Sequence, residues 1–141
     1  MKLQGINKFK IDSSGTPDLL ILRAGDILVH TKDAIVSTGN TLYIKLKESS
    51  VVNAAGVVRV KFDIYTSAGG TAYGRIYVND SAVGTERTTT SITAVTFAED
   101  ITVAANDLVQ LYVHRGSTNP VYCSNFRFYL DTELPIFTNN L

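Results

Sequence analysis

Between Val57 and Val78 the side chains alternate between apolar and polar in two consecutive runs, and this repeat of two is what most limits the fold. Val58, Val60, Phe62 and Ile64 alternate with Arg59, Lys61, Asp63 and Tyr65. Successive side chains of a strand point to opposite faces, whereas a helix would need apolar residues about every 3.6 positions. The run Thr71–Val78 likewise sets Ala72, Gly74, Ile76 and Val78 against Tyr73, Arg75 and Tyr77. With Thr66-Ser67-Ala68-Gly69-Gly70 between them, the two runs are expected to close as a hairpin. Phe62 would then lie opposite Gly74, Val60 opposite Ile76 and Val58 opposite Val78. A large ring beside a residue with no side chain is a good cross-strand fit.

The rest of the chain reads the same way. Residues 1–18 form an N-terminal arm or a first short strand, Asn7–Ile11, followed by the turn-prone stretch Asp12–Asp18. Leu19–Leu22, Ile27–His30 and Ala34–Ser37 are short strand candidates, and Thr41–Lys47 alternates with Leu42, Ile44 and Leu46 inward. Glu48–Gly56 reads as a loop. After the turn Asn79-Asp80-Ser81 come Ala82–Thr88, Ala94–Glu99 with Val95 and Phe97 inward, and Leu108–His114 with Val109, Leu111 and Val113 inward. Tyr122–Leu130 closes the set, with Tyr122, Phe126, Phe128 and Leu130 inward and Cys123 in the outward phase, either as a bland small residue or as an exposed thiol. Short strands spaced roughly 8–12 residues apart, with turn signals between them, define an all-β fold: a single antiparallel β-sandwich of jelly-roll type. The sandwich domain covers 19–130, and 131–141 is an apolar tail. Leu134, Ile136, Phe137 and Leu141 of that tail either pack on their own sandwich or contact a neighbouring subunit.

Composition removes several functions. Thirteen Lys and Arg balance thirteen Asp and Glu, so no charge excess points to nucleic acid or an anionic membrane. No apolar run is long enough for a signal peptide or a membrane span. One cysteine excludes an internal disulfide framework. His30 and His114 stand in separate strands with no His-x-His or Cys-x-x-Cys spacing, so neither metal nor cofactor is expected. No serine sits in a nucleophile-elbow motif, and Glu99-Asp100 reads as a solvated strand end. The expectation is a protein that is not an enzyme.

Binding is the alternative chemistry. On the outward face of the expected hairpin, Arg59 would oppose Tyr77, Lys61 would oppose Arg75, and Asp63 would oppose Tyr73. Like charges directly opposite each other are unfavourable unless something covers them. Arg59, Lys61, Tyr73, Arg75 and Tyr77 are therefore the candidate ligand or protein interface, because tyrosines beside basic groups can stack on and hydrogen-bond a sugar.

The wording from Thr71 onward carries a resemblance. Ala72-Tyr73-Gly74-Arg75-Ile76-Tyr77-Val78-Asn79-Asp80-Ser81-Ala82-Val83-Gly84-Thr85-Glu86-Arg87 resembles a phrase of phage and archaeal-virus β-sandwich proteins. Thr96–Val103, Ala105–Tyr112 and Val121–Phe128 continue it, and the order is distantly similar to the jelly rolls of the complement globular head and tumour necrosis factor group. The resemblance covers roughly residues 41–130 and implies an oligomeric virion component, trimeric in related jelly rolls. A stalk-free chain of this length suits a capsid decoration protein that contacts capsid or other virion proteins and resides in the virion after synthesis in the host cytoplasm. The alternative is a carbohydrate-binding or receptor-binding module with a glycan partner.

Overall fold

The computed structural model describes residues 20–51, 54–116, 118–132 and 137–139. The expected strand Asn7–Ile11 lies outside them, as do Leu134, Ile136 and Leu141. The described chain is an all-β sandwich of two sheets and twelve strands. The first sheet contains β1 (Leu20–Leu22), β2 (Ile27–Lys32), β3 (Val36–Thr38), β5 (Ala54–Thr66), β9 (Val95–Val103) and β11 (Val121–Leu130). The second contains β4 (Ile44–Val51), β6 (Ala72–Val78), β7 (Ser81–Ala82), β8 (Arg87–Thr89), β10 (Leu108–Arg115) and β12 (Phe137–Asn139). Every pairing is antiparallel except that of β1 with β5.

The long strands cross from sheet to sheet rather than pairing with their sequence neighbours, which corrects the expected hairpin. β5 pairs with β11 and β9, while β6 pairs with β10. The end of β5 is tied away from β6 by Thr66 N–H donating to Ser91 O (2.9 Å) and Ser67 N–H donating to Pro120 O (3.3 Å). Gly69 and Gly70, at φ 83° and 94°, then carry the chain across to the other sheet. The inward residues were identified correctly even so, because strand alternation is the same whether the partner lies beside the strand or across the core. Phe62 does meet Gly74, but face to face through the sandwich: a Cβ on Gly74 would come 3.1 Å from Phe62 Cε2 and 3.3 Å from Ile64 Cδ1.

The core is Val58, Val60, Phe62 and Ile64 from β5, Ile76 from β6, Val109, Leu111 and Val113 from β10, and Phe126, Phe128 and Leu130 from β11, all fully buried. Burying each large side chain contributes about 1.5–3 kcal/mol, so this contiguous set supplies the main stabilisation.

β11 departs from simple alternation. Its register against β5 shifts between Ser124 and Arg127, with Asn125 at φ 52°. Such a bulge inserts an unpaired residue and resets which face the side chains take. Tyr122 therefore points outward, stacked on Tyr65 with ring centroids 5.1 Å apart. Cys123 points inward and is fully buried, where burial pushes its thiol up to about 12. Both reverse the expectation from the sequence; Phe126, Phe128 and Leu130 match it.

Two further boundaries move. The expected loop Glu48–Gly56 is mostly strand, because β4 runs to Val51 and β5 begins at Ala54. Its polar residues hid this, since Glu48 and Ser49 are buried despite their chemistry. Leu42, expected inward, precedes β4 and is 76% exposed. Within the tail, Phe137–Asn139 pairs with Val51, Ser50 and Ser49 of its own chain, extending the second sheet.

Replacing Gly74 with Val is expected to destabilise the fold by about 1–3 kcal/mol through overpacking. Combining it with Phe62→Leu should lose less than the two single changes together. Urea denaturation of the four proteins checks this, and strictly additive losses would mean that the two positions do not touch.

Candidate functional site

The sandwich separates the five residues that the sequence grouped. Arg59 and Lys61 lie on the outer face of the first sheet, and Tyr73, Arg75 and Tyr77 on the outer face of the second. No Lys61–Arg75 opposition exists. Arg59 is engaged, donating from Nε to Asp100 (2.8 Å) and from Nη1 to Asp26 (2.9 Å). Lys61 sits 4.5 Å from the Tyr129 ring centroid, a cation–π contact, and its cross-strand neighbour is Arg127. Around Lys61 the β11 bulge opens a polar cleft of about 220 Å³. There Asp63 accepts from Thr96 Oγ1 (2.6 Å) and Asn125 Nδ2 (2.8 Å).

The second sheet carries the larger constellation. The register sets Tyr73 against His114, Arg75 against Tyr112 and Tyr77 against Gln110. Their outward side chains form a strip of rings across β6 and β10. Tyr73 stacks on His114 (centroids 4.4 Å, 7°), and Tyr77 stacks diagonally on Tyr112 (3.8 Å, 17°). Tyr43, from the segment entering β4, spans the two stacks, edge-on to His114 at 4.4 Å and tilted against Tyr77 at 5.9 Å. All five rings are half-buried.

Polar groups fix this strip at both ends. Tyr43 donates to Glu86 Oε2 (2.6 Å), and Tyr112 donates to Asp80 Oδ1 (2.8 Å). Burial first, then these carboxylates, raise both phenols, Tyr112 to about 12, so both remain protonated donors at ordinary pH. Asp80 belongs to the β6–β7 turn, where Asn79 and Asp80 take φ 51° and 66°, conformations that Asn and Asp tolerate well. Gln110, fully buried, donates to both Asp80 Oδ1 (2.8 Å) and Glu48 Oε2 (2.7 Å), and accepts from Asp80 N–H (2.8 Å). Arg75 is pinned by its Nε donating to Gly84 O (2.6 Å). Among the described residues the Tyr73 and Tyr77 hydroxyls make no hydrogen bond within the protein, and no cluster of His, Cys, Asp and Glu could hold a metal. The strip therefore offers apolar ring surface, unused hydroxyls and fixed carboxylates side by side.

Tyr43, Tyr112 and His114 were not in the sequence-derived set. Alternation already placed Tyr43 and Tyr112 outward; the missing fact was that β10, not β5, flanks β6.

No protein-family model matches the chain, and no curated protein does. Solved structures do. A structure described as the EclA C-terminal domain, a sugar-binding protein, has a TM-score of 0.54 at 11% identity, covering 91% of this chain and 98% of that one. The tandem CBM22 domains of Paenibacillus barcinonensis Xyn10C give 0.49 at 14% identity, over 79% of this chain and 46% of that one. A family 35 carbohydrate-binding module from an environmental isolate gives 0.46 at 12% identity, over 82% and 93%. The first of these shows the β-sandwich fold. The expected viral, capsid-decoration and bacteriophage terms are thereby corrected: the structure that shares the fold is described as a sugar-binding protein, not a virion protein.

Hydrogen bonds from Tyr112 and Gln110 hold Asp80 below its ordinary value, and Gln110 chiefly does the same for Glu48. Groups depressed on folding contribute stability above their unfolded pKa, and it is lost as pH falls through the folded value. Urea stability should thus hold from pH 7 to about 5 and decline below about 4. In Gln110→Leu the loss at pH 7 should be about 1–3 kcal/mol and the acid decline shallower. A variant with the parent's pH slope would show that Gln110 does not depress these carboxylates.

Proposed function

We propose that this protein is a non-catalytic carbohydrate-binding module that takes sugar on the outer face of β10 and β6. The observation that carries the reading is the strip of Tyr73, His114, Tyr43, Tyr77 and Tyr112, bracketed by Asp80 and Glu86. A pyranose has C–H patches that lie against aromatic surface and hydroxyls that need directional partners, and this face supplies both. Here Tyr77 and Tyr73 give ring and free hydroxyl, Arg75 gives a donor, and the carboxylates accept. Shared fold with a domain described as sugar-binding supports the reading without assigning residues.

The strip is preferred over the cleft at Lys61 because the cleft offers one ring, Tyr129, already covered by the Lys61 ammonium. The rings are also largely fixed by one another, so little side-chain entropy is lost when a ligand binds.

A glycan array with the full chain, followed by calorimetry on any hit, tests this. Tyr77→Ala should weaken binding about tenfold, and Tyr129→Ala should leave it unchanged. A blank array, or a hit weakened only by Tyr129→Ala, would overturn the assignment.

A further inference from the structure

A second site lies where the two sheets open at one edge, between the β2–β3 connection and β4. The cleft there measures about 490 Å³. Its walls are Ala34, Val36 and Leu46, and its polar groups include Thr31, Lys32 and Lys47. Lys47 is the anomaly. It is 3% exposed, paired in register with the inward residue Leu111, and thus turned between the sheets. Its ammonium donates to the Ala34 carbonyl. No carboxylate lies within ion-pair distance of it among the described residues. A buried cation with no carboxylate at ion-pair distance is costly, and a hydrophobic residue of similar volume is expected to be more stable there.

The neighbouring acids are committed elsewhere. Asp33 also lines the cleft and attracts Lys47 from beyond ion-pair distance, but Arg127 grips both its oxygens (2.8 and 2.9 Å) and Thr31 donates to one of them. Glu48 pairs with Lys45 (2.9 Å) and accepts from Gln110 (2.7 Å). Two groups that interact with these lysines are neutral at ordinary pH: burial pushes the Cys123 thiol up to about 12, and burial, then Lys32, lowers the His30 imidazole. Lys32 adds a second positive charge; burial and then Lys47 make it easier to deprotonate, against a pull from Glu48, and burial does the same to Lys47. The cleft is therefore apolar-walled and carries two lysines against one carboxylate already gripped by Arg127.

We propose that this cleft binds a small organic anion, a monocarboxylate with an apolar body, through Lys47 and Lys32. The carboxylate takes the ammonium hydrogens that Ala34 leaves unused and brings a negative charge into ion-pair distance, in a setting where charge-assisted hydrogen bonds are strong. The body lies against Ala34, Val36 and Leu46. This site opens between the sheets and not onto the outer face, so it stands or falls independently of sugar binding.

Benzoate and its neutral counterpart benzyl alcohol are the probes, followed by amide chemical shifts in the full chain. Benzoate should move amides within Thr31–Val36 and Leu46–Lys47, with benzyl alcohol weaker by about tenfold. Lys47→Met should remove that preference and raise the melting temperature, because it deletes a buried charge. Lys32→Met should weaken benzoate several-fold, which keeps the test decisive even if Lys47→Met does not fold. Equal binding of the two probes, benzoate shifts elsewhere only, or undiminished benzoate binding in the lysine variants would overturn the proposal.

Discussion

Everything in this molecule hangs on the contact between the two inner faces. β5 supplies Val58, Val60, Phe62 and Ile64 to one side, and β6 and β10 supply Ile76, Val109, Leu111 and Val113 to the other. Gly74 leaves the space that the Phe62 ring fills. Sheets that pack in this way stand about 10 Å apart, so one residue of wrong size at the centre is felt by both. The crossing of the chain between sheets follows, since each long strand must bury one face and the next strand supplies the cover.

The bulge in β11 is the main departure from regularity, and it has effects on both faces. Inside, it places Cys123 in the core and keeps Phe126, Phe128 and Leu130 there as well. Outside, it leaves Asn125 free to bond Asp63 and opens the cleft beside Lys61. One left-handed residue thus shapes core and surface together.

Polar groups divide into those that stabilise and those that cost stability. The Gln110 network satisfies a fully buried amide and fixes two carboxylates. Lys47 does the reverse, holding a charge between the sheets with a carbonyl as partner. Strain or uncompensated charge that persists in an otherwise consistent fold is where binding is expected. The aromatic strip differs from both: its rings support each other, and its outer edges remain available.

The sequence by itself determined the all-β class, most strand positions and the inward residues of β5, β6 and β10, because alternation is a local property of an extended chain. It also marked Tyr73, Arg75 and Tyr77 as outward. What it could not determine was partnership. Whether β5 lies beside β6 or across from it changes no side chain's inward or outward phase, so Arg59 and Lys61 were grouped with residues on the opposite face. The bulge at Asn125, the strand hidden under Glu48-Ser49-Ser50, and the meeting of Tyr43, Tyr112 and His114 with Tyr73 and Tyr77 were likewise decided only by tertiary structure. Each depends on contacts between residues far apart in the chain, which no local period records.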